Sequence, residues 1–499
     1  MELTFIGFIQ LAVGIAIVLG GSLRTAFVFF LISGLFDGGA AILLPALGGS
    51  SIPPRQFAIM FVYLRILAPS GGFKGALPGA IFANRTFLLY TIYGLVTAFV
   101  APRLFAGSID VAPVRFENSR GLFDTVPLGP TSQNITASVY LTGSLMVAIA
   151  AYVLCSYRGG VQTLISGSIA VGWLLIALGI ATAVTHGTPA DAFFEQFRNG
   201  NYVQHDQEYG GFVRLRGLFT ESSSFAEFGF AYFVLCAELW YRSVRPLATG
   251  SLALALAVTL FFSTSTTAYV GLAGYAAIFA LRVMLLPKSA EPGKLRQVAV
   301  ALFAVAVMCA IVIALQPSLA ERIGTMLTDM TLGKSDSESG RQRMFWAAQG
   351  WEAFKASYGI GIGPGSFRSS SMLMAMLGAT GVIGMLLFGA YCFAVQQPTR
   401  ASTVARSDNL GWTIGGSLAA AAVFSLLPSA VSSEKADPGP NFAFMAGAAL
   451  ALRPAMRRRR DDFEDDDAEE IATGYIAVPQ VGRIRIGSAG KPAAREGLA

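Results

Sequence analysis

The chain has 499 residues, of which 54% are hydrophobic and 13% are charged, and its mean hydropathy is +0.58. This composition excludes a soluble globular protein and indicates an integral membrane protein. The net charge of +6 does not indicate a nucleic-acid partner, because the basic residues lie in loops and at the ends of apolar segments rather than in one patch.

Apolar segments long enough to cross a bilayer follow one another along most of the chain. A spanning helix needs roughly 17–25 residues, so the sequence predicts an all-α, polytopic domain over residues 1–456 with about 12–13 transmembrane helices. The candidate spans lie near residues 3–20, 25–48, 56–69, 86–105, 135–156, 161–184, 223–242, 246–263, 267–287, 297–315, 373–395, 410–431 and 440–455.

Basic residues predict the orientation of these spans. Arg457 to Arg460 directly follow the last span and place the C-terminus in the cytoplasm, since lysine and arginine mark the inner side. Alternation then places these residues inside: Arg400, Arg406, Lys288, Lys294, Arg296, Arg242, Arg245, Arg158, Lys74 and Arg85. Three longer loops fall outside, at residues 106–134, 185–222 and 316–372.

The second span is predicted to contain an acid, Asp37, beside Gly38 and Gly39. Acids within spans are usually functional, so Asp37 is compatible with ion coupling and hence with a transporter. The two halves of the chain show no repeated pattern of interrupted helices, which counts against a transporter.

The second outside loop ends in arginines that abut the next span. Arg214 and Arg216 are expected at membrane depth, where an unpaired charge costs several kcal/mol, and a lipid phosphate would serve as partner. Glu221 is the nearest carboxylate and a candidate base for an acceptor hydroxyl, although a salt bridge to Arg216 or a polar helix start would also explain it. Arg198 lies farther from the membrane edge and is expected to tolerate lysine. His186 and His205 are typical of surface histidines.

The third outside loop combines arginines with glycines. Arg341 and Arg343 lie in the basic segment 339–346, and their planar guanidinium groups can each bind two phosphate oxygens. Nearby acids leave an ordinary solvated surface as the alternative for any single arginine. The segment 359–368 predicts a tight turn with exposed backbone amides rather than a nucleotide site, because no strand precedes it and Pro364 lacks an amide hydrogen.

The end of the chain, residues 457–499, is predicted to be a disordered cytoplasmic tail without a catalytic role. Residues 461–470 include eight acids, and the rest is too poor in apolar residues to form a core. Cys155, Cys236, Cys309 and Cys392 lie in apolar segments without metal-ligand spacing, so neither a disulfide framework nor a metal site is expected.

Several of these segments, taken together, resemble the O-antigen ligase and polymerase superfamily. They are Arg-Gly-Leu-Phe-Thr-Glu at 216–221, the Ser/Thr-rich 262–267, the arginines before Trp346, and the glycine-rich 361–366 that leads into 377–384. Residues 127–136 are similar to the exopolysaccharide-polymerase branch. The resemblance extends over residues 120–390.

This resemblance implies a metal-independent glycosyltransferase without a cofactor, acting at the periplasmic face of the bacterial inner membrane. Its substrate would be an undecaprenyl-pyrophosphate-linked oligosaccharide, and its partners would be membrane lipid with flippase, chain-length or export proteins. Arg216 and Arg343 match the arginines that neutralise the pyrophosphate, with Arg214 and Arg341 as near neighbours. Glu221 is assigned as catalytic, and Arg368 and Ser370 as substrate-binding.

One departure from the family pattern favours polymerase over ligase. Ligases carry a histidine shortly after the glycine-rich turn, whereas here Arg368 is followed by the serines 369–371. The expected function is therefore polymerisation of lipid-linked repeat units into exopolysaccharide or O-antigen. A ligase that transfers glycan to a lipid or protein acceptor is the first alternative, and a transporter or flippase is the second.

Overall fold

A computed structural model describes residues 2–45, 50–69, 72–115, 121, 123–199, 208–209, 212–315, 321, 324, 338–397 and 409–452. The helices are α1 (Phe5–Gly20), α2 (Leu23–Ser33), α3 (Pro54–Leu67), α4 (Leu77–Ala83), α5 (Arg85–Leu104), α6 (Ser132–Cys155), α7 (Gly160–Val184), α8 (Asp191–Glu195), α9 (Ser222–Tyr241), α10 (Pro246–Phe262), α11 (Thr266–Leu285), α12 (Pro292–Leu315), α13 (Glu338–Ala356), α14 (Met372–Gln396), α15 (Leu410–Phe424), α16 (Ser429–Ser432) and α17 (Gly439–Ala451). The strands are β1 (Glu2–Leu3), β2 (Ile42–Leu44), β3 (Ser50–Ile52), β4 (Asp110–Val111), β5 (Val126–Pro127), β6 (Glu208–Tyr209) and β7 (Phe212–Val213). The predicted tail lies outside the described residues.

Six helical segments of the described chain are long and apolar enough to cross a membrane. They are Arg85–Leu104, Ser132–Cys155, Gly160–Val184, Thr266–Leu285, Met372–Gln396 and Leu410–Ser432. Shorter apolar segments are Phe5–Gly20, Leu23–Phe36 and Pro246–Phe262. Each predicted span overlaps a helix, although the second does so only in part, and the all-α, polytopic class is confirmed. The total of about 12–13 spans stays a prediction.

The second predicted span is shorter than the sequence suggests. Helix α2 ends at Ser33, a 3₁₀ turn covers Gly34–Phe36, and β2 then pairs antiparallel with both β1 and β3. Beyond the helix, Gly38 packs tightly against a distant segment, since a Cβ there would lie 2.1 Å from the carbonyl oxygen of Leu218. The expectation that Asp37 lies inside a span is therefore wrong, since it follows the end of the helical segment.

Helices α6, α9, α15 and α17 form much of the buried core, and α11 packs against α9. Helix α17 approaches α6 so closely that a Cβ at Gly447 would lie 2.0 Å from the carbonyl oxygen of Ala148. Gly271 of α11 lies against the buried ring of Phe230, and the Tyr275 hydroxyl donates to Glu238 at 2.7 Å. The contact farther along α9, at Glu238, is also the contact farther along α11, at Tyr275. The two helices therefore run parallel and begin at the same end of the bundle.

Helix α13 lies in the third predicted outside loop and was missed by hydropathy because its sequence is polar. It crosses α14 where both helices carry glycine. A Cβ at Gly350 would lie 2.2 Å from the carbonyl oxygen of Met374, and one at Gly378 would lie 2.8 Å from the Cα of Gly350. Small residues permit such close helix crossings. This crossing fixes the position of the arginines near the start of α13.

Basic residues predicted to lie inside gather at the other end of the bundle. Arg24 donates to the carbonyl of Arg158, and Arg245 donates to the Ser166 hydroxyl at 2.7 Å. The loops predicted to lie outside meet at the opposite end. This grouping agrees with the predicted topology, while the side of the membrane that each end faces stays a prediction.

Candidate functional site

Segments that are far apart in the sequence meet where α6, α9, α11 and α14 begin. The Asn134 side chain donates to the carbonyl of Pro364 and to the Ser366 hydroxyl, each at 2.9 Å. The backbone amide of Arg368 donates to the carbonyl of Ala112 at 2.8 Å. This end of the bundle, called the loop end below, carries the seven residues that the sequence assigns to the site.

Arg216 lies in a buried arginine pair at the loop end. Its Nη2 contacts Glu195 Oε1 at 3.0 Å, and the same carboxylate oxygen lies 2.5 Å from Nη1 of Arg198. Burial, and after it the nearby charge of Arg198, lower the pKa of Arg216. Its surroundings therefore disfavour the charged form of Arg216, and an additional negative charge nearby would stabilise that form.

Arg198 organises this segment instead of standing apart from it. Its Nη2 and Nε both donate to the carbonyl of Gly217, at 2.9 and 3.1 Å, and only 3% of the residue is exposed. Gly217 has a φ of +55°, a conformation that glycine adopts readily. The expectation that Arg198 tolerates lysine does not fit this geometry, because a single ammonium cannot reproduce the paired contact.

Arg214 joins two segments that the sequence singled out separately. Its Nη2 donates to the carbonyl of Thr264 at 3.2 Å, within the buried turn of Ser263, Thr264 and Ser265 between α10 and α11. Thr264 has a φ of +49°, which is strained for a β-branched residue. The arginine run and the Ser/Thr-rich turn are thus one structural unit.

Glu221 immediately precedes α9 and is half-buried. Its carboxylate accepts from the Ser223 hydroxyl at 2.7 Å, whereas the ion pair of Arg216 is with Glu195. The alternative reading of Glu221 as the salt-bridge partner of Arg216 is therefore not what the structure has. Its position at a helix start holds, and the carboxylate lies close in sequence to both arginines.

Arg343 lies near the start of α13 and is half-buried, whereas Arg341 is exposed. Within the described ranges, the Arg343 guanidinium makes no ion pair or hydrogen bond. Its backbone carbonyl accepts from the Ser370 hydroxyl at 2.5 Å. Ser370 thus contacts the helix that carries Arg343, and its hydroxyl is already engaged by protein.

Arg368 stacks on Trp346, which lies one helical turn after Arg343 on α13. Its Cζ is 4.2 Å from the ring centroid of Trp346, and its Nη2 is 3.8 Å from Glu434 Oε2. Stacking on an aromatic ring suits a guanidinium and holds its plane fixed. Arg343 and Arg368 form a second arginine group at the loop end.

The glycine-rich turn between α13 and α14 uses its amides internally. Gly361 donates to the Ser357 hydroxyl at 2.9 Å, and Ile362 and Gly363 donate to the carbonyls of Gly378 and Ala379. Gly363 and Gly365 have φ values of +93° and +84°. The expectation of exposed amides is wrong here, because the turn is packed against helices and serves to position Arg368.

A polar cleft between α9 and residues 429–437 was not predicted. Glu227 accepts from Ser429 at 2.6 Å, Asp437 accepts from Ser144 at 3.0 Å, and the Lys435 ammonium lies 4.5 Å from the ring centroid of Tyr140. Glu227 and the fully buried Glu238 lie about three helical turns apart on α9. This shared face is the signal that sequence reasoning overlooked.

Asp37 also belongs to the loop end. Its Oδ2 is 3.1 Å from Nη2 of Arg55, whose Nη1 donates to Asn441 at 2.9 Å. An acid paired in this way, beyond the end of its helix, is a weak basis for ion coupling. His186 contacts Asp191 at 3.2 Å, and His205 lies outside the described residues.

Comparison with known families identifies one match. Residues 251–389 match the family model for O-antigen ligase, from within α10 through the Ser/Thr-rich turn and α13 into α14. The match contains Arg343 and Arg368 but ends before residues 429–437 and begins after Arg216. No curated protein matches the chain. Members of the matched family are membrane enzymes of the glycosyltransferase type. The chain is therefore a multi-pass membrane protein whose residues 251–389 match the O-antigen ligase family model, which is consistent with the O-antigen ligase and polymerase superfamily.

Proposed function

We propose that this enzyme joins undecaprenyl-pyrophosphate-linked repeat units into exopolysaccharide or O-antigen at the periplasmic face of the bacterial inner membrane. The observation that carries the proposal is the half-buried Arg343 guanidinium, which lacks an ion pair or hydrogen bond within the described ranges. It lies one helical turn before Trp346, on which Arg368 stacks. A cation held in this way is suited to a polyanionic headgroup that arrives from the membrane.

The reaction displaces a pyrophosphate from a sugar. The acceptor hydroxyl oxygen attacks the anomeric carbon, and the bond from that carbon to the pyrophosphate oxygen breaks with its electron pair on the leaving group. Arg216 and Arg343 would stabilise the negative charge that grows on this group. One preorganised donor of this kind is typically worth roughly 3–4 kcal/mol.

The proton of the acceptor hydroxyl needs a base, and Glu221 is the proposed one. Its carboxylate receives a single hydrogen bond from Ser223. It precedes α9 and lies on the same short segment as Arg214 and Arg216.

The choice of polymerase over ligase rests on the residues after the glycine-rich turn. Ligases of the resembled family carry a histidine shortly after this turn, whereas here Arg368 is followed by serines. One of them, Ser370, donates a hydrogen bond to the backbone carbonyl of Arg343. A second lipid-linked repeat unit is therefore the proposed acceptor. A ligase remains the alternative that a glycan acceptor assay distinguishes.

The test is turnover by the purified protein supplied with lipid-linked single repeat units. A ladder of products with two or more repeats supports polymerisation. A product formed only when a lipid or protein acceptor is added would establish the ligase instead. Transport without any new glycosidic bond in sealed vesicles would establish the transporter.

A further inference from the structure

Helices α9 and α11 begin side by side and point their N-termini at the same region of the loop end. Phe230 opposes Gly271, so Ser222 lies about 12 Å above this level and Thr266 about 7.5 Å above it, at 1.5 Å per residue. The turn that contains Thr264 directly precedes the start of α11. Helix N-termini attract anions, because their first amides lack helical acceptors and the helix dipole is positive there.

Neither helix start is capped by a side chain. Glu221 precedes α9 and Ser265 precedes α11, and neither side chain accepts a capping hydrogen bond from its helix. Each helix has 20 residues. These two helix starts therefore lack the side-chain cap that usually satisfies one of the first amides of a helix.

Three buried hydroxyls at these helix starts have no hydrogen-bond partner in the described part of the chain. They belong to Ser222, Thr264 and Thr267, which are 3%, 4% and 1% exposed. A buried hydroxyl without a partner costs free energy, so each of these three indicates a ligand or water that satisfies it. Arg214 reaches the same turn through the carbonyl of Thr264.

We propose that the paired starts of α9 and α11 form the seat of a lipid-linked pyrophosphate, with Ser222, Thr264 and Thr267 as hydroxyl donors and Arg214 as the charge beside them. This proposal deepens the proposed function, since it assigns phosphate-binding residues to that site. The hydroxyls would donate to phosphate oxygens. Glu221 would then face the bound group from the edge of the same seat.

The test measures binding without any sugar or turnover. Purified protein in detergent, with a chelator present, is titrated with farnesyl pyrophosphate, and farnesol serves as the matched control for the lipid tail. The variants are Thr267→Val and Ser222→Ala. Thr259→Val is the matched control, because the Thr259 hydroxyl donates to the carbonyl of Ala255 within α10.

Thr267→Val should bind farnesyl pyrophosphate about tenfold more weakly, while its melting temperature without ligand is unchanged or higher. Removing a hydroxyl that lacks a partner does not destabilise the empty protein. Thr259→Val should bind like wild type. Farnesol should bind all variants equally weakly.

Wild-type affinity in both Thr267→Val and Ser222→Ala would overturn the proposal and leave water as the partner of these hydroxyls. Such variants could still polymerise repeat units, and the proposed function would then stand without this seat. If binding depends on Thr267 but no repeat units are joined in the turnover assay, the proposed function fails and the pyrophosphate seat remains.

Discussion

Two nitrogens of the Arg198 guanidinium donate to the carbonyl of Gly217, at 2.9 and 3.1 Å, and so fix the residue that follows Arg216. The guanidinium is almost completely buried. The orientation of Arg216 thus depends on a second arginine that need not touch the substrate. Arg198 is a positioning residue in this arrangement.

Replacing Arg198 with lysine should lower both stability and activity. Lysine keeps the charge but loses the paired contact with Gly217, so the Arg216 loop should loosen and the melting temperature in detergent should fall. Arg103→Lys is the control, because Arg103 is exposed. An Arg198→Lys variant with unchanged melting and turnover would contradict this role.

Arg343→Lys should reduce polymer formation about a hundredfold while the protein level stays normal. Lysine offers a compact, hydrated charge in place of a planar fork, and a loss of about 3 kcal/mol in the transition state slows transfer by that factor. Arg216→Lys should behave in the same way. The measurement is turnover of lipid-linked repeat units by purified protein, and wild-type rates in both variants would remove these arginines from the mechanism.

Gly350→Ala should destabilise the protein by about 1–3 kcal/mol, because the new Cβ would meet the backbone of α14. Gly389→Ala is the control on α14, where an added Cβ meets nothing within 4 Å. That change should be neutral or slightly stabilising, since alanine favours a helix. Thermal unfolding measures both, and equal melting of the two variants would argue against the tight crossing.

The stability of the protein should decrease as the pH rises from 4 to 6. Burial raises the pKa of Asp437 from 3.8 to about 6, against the opposing effects of Ser144, the Gly439 amide and Lys435. In this window the folded state binds more protons than the unfolded state, so stability falls as pH rises and levels off above pH 6. Asp437→Asn should weaken this dependence and raise the melting temperature at pH 7. An unchanged pH profile in the variant would refute the assignment.

Cysteines introduced at positions 120, 200 and 335 should react with an impermeant thiol reagent in intact cells after the native cysteines are removed. A cysteine at Ala290 should not react, because the predicted topology places it in the cytoplasm. Labelling at 290 without labelling at 335 would invert the topology. The loop end would then face the cytoplasm, and the proposed periplasmic reaction would be untenable.

Hydropathy predicted the spanning helices well because a helix that lies in lipid needs a long apolar segment. It overestimated the length of the second span, whose helical segment ends at Phe36. The next residues pack against Leu218, which lies far along the chain. It also missed α13, whose helix is polar and is held by its crossing with α14. Local sequence carries no record of such distant contacts.

Sequence reasoning placed the arginines at one end of the bundle but did not find their partners. Glu195 was overlooked as the partner of Arg216 because Glu221 is nearer in sequence. The polar cleft escaped notice because its carboxylates come from α9 and from the segment before α17. The roles of the seven assigned residues stay predictions.

The packing of α17 and of the segment before it also determines when the protein can complete its fold during synthesis. Arg55 near the start of α3 bonds to Asn441, and the Tyr90 hydroxyl donates to the carbonyl of Ala436 at 2.6 Å. Early helices therefore enter the membrane with polar groups that wait for the last helix to emerge from the ribosome. Nascent chains lacking α17 should therefore be vulnerable to quality-control proteolysis.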